Sequence, residues 1–408
     1  MNDRQYEVGS LQKRAYAEIN MNNAEHNYRL VRAAVDPAVK LCCVVKANAY
    51  GHGAVHLGRL YESLGADMLA VSNIAEAMQL RTAGIGTPIF ILGYTPADCA
   101  KILADNRIAQ CVYSLEYAKQ LSAEAAAAGV TVGVHIKLDS GMGRIGFRCP
   151  DPDGSFDGSG DDGIDGVERA LALPGLVPVG VFTHFAVSDE GADGEEYTRL
   201  QYARFSAAIA ELESRGVVFP VKHCSNSAAI LDYPGFRMDM VRAGVILYGL
   251  QPSSKIRNRL DLRPVMSLRS VVSHVKTVRP GDRVSYGGDF VADRSSLIAT
   301  VPVGYADGFF RSNYTGGGSV ELANRLCPIV GRICMDQLMI DVSSLPVIPS
   351  VGDEVTVFGS DLVTADDVAR VNRTINYEIC CLVGERVPRI YTRDGSIVAV
   401  VDYVMNLR

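Results

Sequence analysis

Apolar or β-branched runs of a few residues alternate with stretches of helical spacing along roughly the first 260 residues. The runs are LCCVV (41–45), MLAVS (68–72), IFIL (89–92), QCVY (110–113), VGVHIKL (132–138), VGVFT (179–183), FPVKH (219–223) and MDMVRAG (238–244). Between them, segments such as HNYRLVRAAV, AVHLGRLYESLG, NIAEAMQLRTAG and LEYAKQLSAEAAAAG carry an apolar residue every three or four positions, and glycine closes several of them. Eight strand-like runs interleaved with helices are what a TIM-like (β/α)8 barrel requires. Past residue 263 the pattern changes. SLRSVVSHVKTVRPGDRVSY, SLIATVPVGYA, RICMDQLMIDVS and DEVTVFG alternate or bunch β-branched residues around Gly and Pro turns, which predicts a mainly-β domain. The expected division is therefore an α/β barrel over 14–263 and a C-terminal β domain over 264–408, with residues 1–13 packing against the latter.

Length and composition narrow the partners. A chain of 408 residues is long for one ordinary domain, and 48% hydrophobic with 21% charged residues is the balance of a full globular core. The net charge of −6 offers no basic footprint, so no nucleic-acid partner is expected. No apolar run is long enough to cross a bilayer, and MNDRQYEVGSLQKRAYAEIN lacks the apolar stretch of a signal peptide, so no membrane partner and a cytoplasmic location are expected. The ten cysteines contain no C-x-x-C spacing, which makes them small core residues of a reducing compartment rather than metal ligands. DPDGSFDGSGDDGID (151–165) begins like a calcium loop, but its twelfth position from Asp153 is Ile164 in place of the bidentate Glu. It is read as a Gly/Asp-rich surface insertion, and no metal is expected.

The polar residues at strand ends carry the chemistry. Lys46 follows LCCVV directly, and a cation closing a buried-looking run either reaches for water or stands at the carboxyl end where parallel α/β folds hold reactive groups. Lys137, Asp139 and Arg144 follow the fifth run, His184 the sixth, His223, Ser225, Asn226 and Ser227 the seventh, and Arg242 and Gly244 the eighth. Singly, each has a structural explanation: a satisfied core histidine, a helix cap, a surface arginine. Together they would crowd one rim of one barrel. A lysine, an arginine and backbone N–H groups near the last two strands suggest pyridoxal phosphate, whose aldehyde forms a Schiff base with an active-site lysine.

VVKANAYGHG resembles the cofactor-lysine signature of the alanine racemases. KLDSGMGRIGF, THFA, NSAA, VRAGVILYG, VSYGG, VPVGYADGF, GRICMDQLMIDV, NYEICC and RVPRIY are similar to that family's other blocks, in the same order. The resemblance runs from KRAYAEI to the C-terminal blocks, with 151–165 as its main departure. It implies racemisation of L- and D-alanine with pyridoxal 5'-phosphate, a supply of D-alanine for peptidoglycan, and a head-to-tail homodimer with shared active sites. The two bases it implies are Lys46 and Tyr286 of the other subunit, because a proton must leave one face of Cα and return on the opposite one. A tyrosine is a poor base at its reference pKa near 10, so cations or hydrogen bonds must favour its phenolate. By the same resemblance Arg242 faces the cofactor's ring nitrogen and can donate there but not accept. His184 packs on the ring or holds Arg242, and Tyr50, Asn226, Ser227, Tyr377 and the backbone at Gly244 and Val245 serve the phosphate side. Arg144 and, from the partner chain, the backbone around Met335 and Asp336 take the substrate carboxylate, while Tyr305 and Tyr377 narrow the mouth of the site. Lys137 is implied as a carbamylation site that would orient Arg144, an unmodified lysine being the alternative.

A serine or broad-specificity racemase shares these features, since serine adds only one hydroxyl. A decarboxylase of the same architecture would require an acidic residue in place of Arg242. A barrel-only cofactor carrier would have no use for Tyr286 or the Met335-Asp336 block.

Overall fold

The computed structural model describes residues 14–405; the expectation for residues 1–13 lies outside that range. Two compact units emerge. One comprises Glu25–Ala49 and Ala54–Leu262, the other the described residues up to Ala24, Tyr50–Gly53, and the chain from Arg263 onward.

The first unit is an eight-stranded parallel barrel with helices between its strands: Lys40–Val44, Met68–Val71, Ile89–Ile91, Ile108–Val112, Val132–Asp139, Leu176–Phe182, Lys222–His223 and Met240–Ala243. The last strand pairs with the first, Arg242 opposite Cys42, and backbone bonds Asp239 N→Lys222 O (3.1 Å) and Arg242 N→Ser225 O (3.0 Å) close the circle. These strands are apolar on consecutive residues because parallel strands are covered on both faces. Leu41, Cys42, Cys43 and Val45 have no exposed surface. Local chemistry sets the helix limits. In Leu115–Ala128, Ser114 accepts the N–H of Tyr117, and Gly129 closes the helix at φ 64° while its neighbours bury Leu121 and Ala125. Such a cap contributes about 1 kcal/mol and a buried Leu about 1.5–3 kcal/mol, so the inward stripe is what holds the helix.

The 151–165 insertion forms neither helix nor strand before Ile164. Five of its six carboxylates are engaged within the protein: Asp151 with Arg148 and Arg204, Asp165 with Arg215, Asp161 with Arg169, and Asp153 and Asp157 with the backbone of Ser155 and Ser159.

The second unit is mainly β. Its seven-stranded sheet runs in the spatial order Arg325–Pro328, Ser319–Leu322, Glu354–Phe358, Met266–Val271, Ala15–Asn20, Arg389–Arg393, Ser396–Val401. Ala15–Asn20 alternates buried and half-buried residues and lies antiparallel to Met266–Val271 but parallel to Arg389–Arg393. A three-stranded sheet (His274–Val278, Ser296–Val301, Leu338–Asp341) covers a small core that includes Ile298, Val284 and Val330. Two short helices, Ala365–Asn372 and Asn376–Cys381, complete the unit. All ten cysteines are free thiols, seven of them buried. Among the described residues no helix is long and apolar enough to cross a membrane.

Candidate active site

Lys46 stands two residues beyond the end of the first barrel strand, after Val45 N makes a last bond to Ala70 O (2.8 Å). The next four residues, Ala47, Asn48, Ala49 and Tyr50, have φ of 51°, 53°, 54° and 53°. A left-handed turn built without glycine costs on the order of 1–2 kcal/mol per residue, and such strain persists only where neighbours over-determine it. Glu76 supplies part of the restraint, accepting Ala47 N (2.8 Å) on one oxygen and Ser72 N (2.7 Å) on the other; Asn48 Oδ1 accepts Ala54 N (2.8 Å). The lysine thus sits on a stiff turn.

Arg242, on the eighth strand, is buried, and no carboxylate among the described residues is bonded to it. Its Nη2 donates to Thr183 O (2.8 Å) and Cys224 O (3.0 Å) and reaches His184 Nδ1 (3.2 Å), while Nη1 reaches His223 Nδ1 (3.0 Å). Burial lowers its pKa to about 10, which leaves it charged at neutral pH. Because a guanidinium only donates, His223 must accept at Nδ1 and carry its proton on Nε2. That proton is then donated to His135 Nδ1 at 3.0 Å, so His135 is protonated at Nε2. Burial, followed by the charge of Arg242, holds His223 and His184 well below the usual imidazole pKa and His135 down to about 3. The guanidinium is therefore fixed by neutral histidines and carbonyls.

Lys137 lies two residues before the end of the fifth strand, 2% exposed, with Nζ 3.2 Å from Leu138 O and 5.1 Å from the centroid of Phe182. Burial first and the Arg242 charge second bring its pKa down to about 7. Two residues on, Asp139 Oδ1 gathers the N–H groups of Gly141, Met142 and Gly143 at 2.9–3.1 Å, shaping the exposed turn that carries Arg144. The charges of Lys137, Arg144 and Lys46 all bear on His184, after that of Arg242. Across the last two strands, Gly244 N donates to Ser227 Oγ (2.9 Å) and Val245 is buried beside it. Asn226 caps the helix Ser227–Asp232, accepting Ala229 N (2.9 Å) and Ser188 Oγ (3.0 Å).

The remaining candidates lie in the β unit as two groups. Tyr50 and Tyr377 have ring centroids 6.2 Å apart, and the buried Arg389 donates to Gly51 O (3.0 Å) beside them. Gly51 and Gly53 (φ 84° and 100°) leave no room for a Cβ, which would lie 2.2 Å from Cys380 O and 1.8 Å from Tyr391 Oη respectively. The second group is Tyr286, Tyr305, Met335 and Asp336, all exposed. Ser285 precedes Tyr286 with φ 66° and ψ −175°, a conformation normally left to glycine, and its Oγ donates to Arg332 O. Tyr305 N donates to Cys334 O (3.1 Å) and Ala306 N to Met335 O (3.0 Å), tying the two turns edge to edge. Asp307, fully buried, accepts Gly304 N (2.9 Å) and a pair of bonds from Arg14 (2.5 and 3.1 Å). Arg386 spans Asp307 (3.1 Å) and Asp336 (2.8 Å). His135, Asp307, Arg386 and Glu76 were not singled out in the sequence, although His135 lies within the run VGVHIKL and Asp307 and Arg386 lie within the blocks VPVGYADGF and RVPRIY.

Parallel barrels hold their chemistry at the carboxyl ends of the strands, and a rim with two lysines, two arginines and neutral histidines marks this one as a barrel enzyme. Comparison with known proteins narrows the class. The family model "Alanine racemase, N-terminal domain" matches residues 19–252, and "Alanine racemase, C-terminal domain" matches 265–391. The alanine racemases of Desulfovibrio desulfuricans and Clostridium tetani are 45% and 42% identical over 382 and 393 residues, covering 94% and 95% of this chain and 99% and 98% of theirs. Among solved structures, alanine racemase of Clostridium difficile 630 superposes with a TM-score of 0.88 at 40% identity over 96% of this chain and 99% of its own. That of Bacillus anthracis with bound L-Ala-P gives 0.87 at 34%, over 97% and 99%. The chain belongs to the alanine racemase family.

Proposed function

We propose that this protein interconverts L- and D-alanine in the cytoplasm as a homodimer, with pyridoxal 5'-phosphate at Lys46, and so supplies D-alanine for peptidoglycan. The observation that carries the reading is Arg242, buried and held by neutral partners, a donor that cannot accept a proton from a ring nitrogen. Within the barrel the donor set fits the cofactor: a strand-end lysine amine, the Ser227 hydroxyl joined to Gly244 N, the backbone at Val245 and the Asn226 cap. Tyr50 and Tyr377, paired within the β unit, are proposed to serve its phosphate. When bound, pyridoxal phosphate would draw off the electron pair left when Cα loses its proton.

Lys46 moves the proton on one face of Cα and Tyr286 of a second copy on the other, neither being able to serve both faces. Arg242 would donate to the cofactor's ring nitrogen without accepting or surrendering a proton there, which would weaken the ring as an electron sink and disfavour transamination. His184 steadies Arg242 through its Nδ1. Arg144 takes the substrate carboxylate with its planar pair of donors, joined by the backbone around Met335 and Asp336 of the second copy. Tyr305 and Tyr377 restrict the side chain to a small one. Lys137, with a pKa near neutrality, is suited to react as a free amine with carbon dioxide, the N–C bond forming as a proton leaves, and the resulting anion would orient Arg144.

The test is subunit complementation. Lys46→Ala and Tyr286→Phe homodimers should each be nearly inactive in racemising alanine in D₂O, read by optical rotation and Cα deuterium together. Unfolding and refolding an equal mixture makes half the dimers mixed, each with one intact site, so roughly a quarter of all sites should recover, given a closed two-fold dimer. Activity fixed at the parental level, with mixed dimers present by mass spectrometry, would mean that the two bases come from one chain.

A further inference from the structure

The turn proposed to receive the substrate carboxylate carries a carboxylate of its own. Asp336 is 52% exposed, and an uncompensated negative charge there would repel an amino-acid carboxylate arriving at the adjacent backbone. Arg386 answers this by geometry. Its Nη2 lies 2.8 Å from Asp336 Oδ1, and its Nε, 3.1 Å from Asp307 Oδ1, anchors the same guanidinium to a buried group. Asp307 cannot swing away, being bonded by Arg14 and by Gly304 N and having no exposed surface. Arg14, Asp307, Arg386 and Asp336 thus form a chain of alternating charge that sums to zero. It also links the turn bearing Tyr305 to the turn bearing Met335.

Resting on the proposed function, we infer that Arg386 is a positioning residue for substrate recognition. It neutralises Asp336 and holds the 335–336 turn in a state that tolerates a carboxylate. Its contribution falls on binding rather than on proton transfer, and it acts through Asp336.

This predicts a split that a merely structural arginine would not produce. In the holoenzyme, Arg386→Met should raise KM for alanine roughly tenfold, the equivalent of one like charge left unscreened at close range, with kcat changed less than about threefold. Propionate, which keeps the carboxylate and lacks the amine, should lose binding by a similar factor. Alaninamide, which keeps the amine and lacks the carboxylate, should inhibit as it does in the wild type. Arg386→Met combined with Asp336→Asn should recover most of the lost affinity, because the charge that needed neutralising is gone. Arg386→Lys, with a cation but no fork, should fall between.

A double variant as weak as Arg386→Met, or parallel losses for alaninamide and propionate, would overturn the inference and reduce Arg386 to a fold-holding residue. Propionate binding read by calorimetry needs no turnover. A wild type that ignores alanine yet shows the Arg386 effect on propionate would count against the proposed function and not against this role.

Discussion

Replacing Lys137 by Met should stabilise the barrel at mildly acid pH and do progressively less as pH rises. The native amine titrates near 7, burial and Arg242 disfavouring its charge, whereas an unfolded lysine titrates near 10.4. Below about pH 7 both states hold the proton, and the native state bears the full cost of a buried ammonium. Between the two pKa values only the unfolded state is protonated, so stability climbs with pH at about 1.36 kcal/mol per unit. Integrated over the roughly 3.5 units of separation, the cost is about 4–5 kcal/mol at pH 6, and about 1 kcal/mol remains at pH 9.5. Met fills a similar volume without charge, so the stability difference between variant and wild type should shrink by roughly 3 kcal/mol from pH 6 to 9.5. The assay is urea unfolding of both proteins side by side in buffers stripped of carbon dioxide, where every other titrating group cancels. Adding bicarbonate should raise the stability of the wild type alone. A difference independent of pH over that range would refute the reasoning, since Lys137 would then hold the same protonation throughout.

Two other substitutions test separate parts of the molecule. Arg242→Glu should let the ring nitrogen of bound pyridoxal phosphate share a proton, changing the absorbance of the holoenzyme and letting transamination compete while racemisation slows; an unaltered spectrum and product ratio would separate Arg242 from the ring. Gly53→Ala sets a methyl 1.8 Å from Tyr391 Oη at a φ of 100°, and should cost roughly 2–4 kcal/mol, seen as a lower unfolding midpoint that Tyr391→Phe partly restores.

The barrel was legible because parallel strands covered on both faces have to be apolar on consecutive residues, and each of the eight runs overlaps a strand, FPVKH only at Lys222–His223. Lys46 was legible for the same reason, as a cation interrupting such a run. What stayed hidden depends on partners far apart in sequence. Arg14, Asp307 and Arg386 look like ordinary surface charges until the chain brings residues 293 apart into contact, and only then does one of them become a buried carboxylate. Ala15–Asn20 alternates as many edge strands do, and nothing in it says that it will lie between Met266–Val271 and Arg389–Arg393. The left-handed turn after Lys46 was hidden differently: three of its four residues, Ala47, Ala49 and Tyr50, are not residues that favour positive φ, so local propensity argues against the observed backbone.

The histidine chain shows why the barrel interior balances its charge with dipoles. A carboxylate beside Arg242 would have been the cheaper way to bury a guanidinium, since breaking or omitting a partner for a buried charge commonly costs 3–5 kcal/mol. It would also have cancelled the positive potential that the proposed chemistry requires at the ring nitrogen. Two carbonyls and two imidazole nitrogens engage both Nη atoms of Arg242 and leave its charge intact. After burial, the same positive charge is the next cause that depresses Lys137 and His184, so the charged donor also helps to bring the neighbouring amine near neutrality. His135 pays for the arrangement, its Nε2 being buried with no hydrogen-bond partner among the described residues.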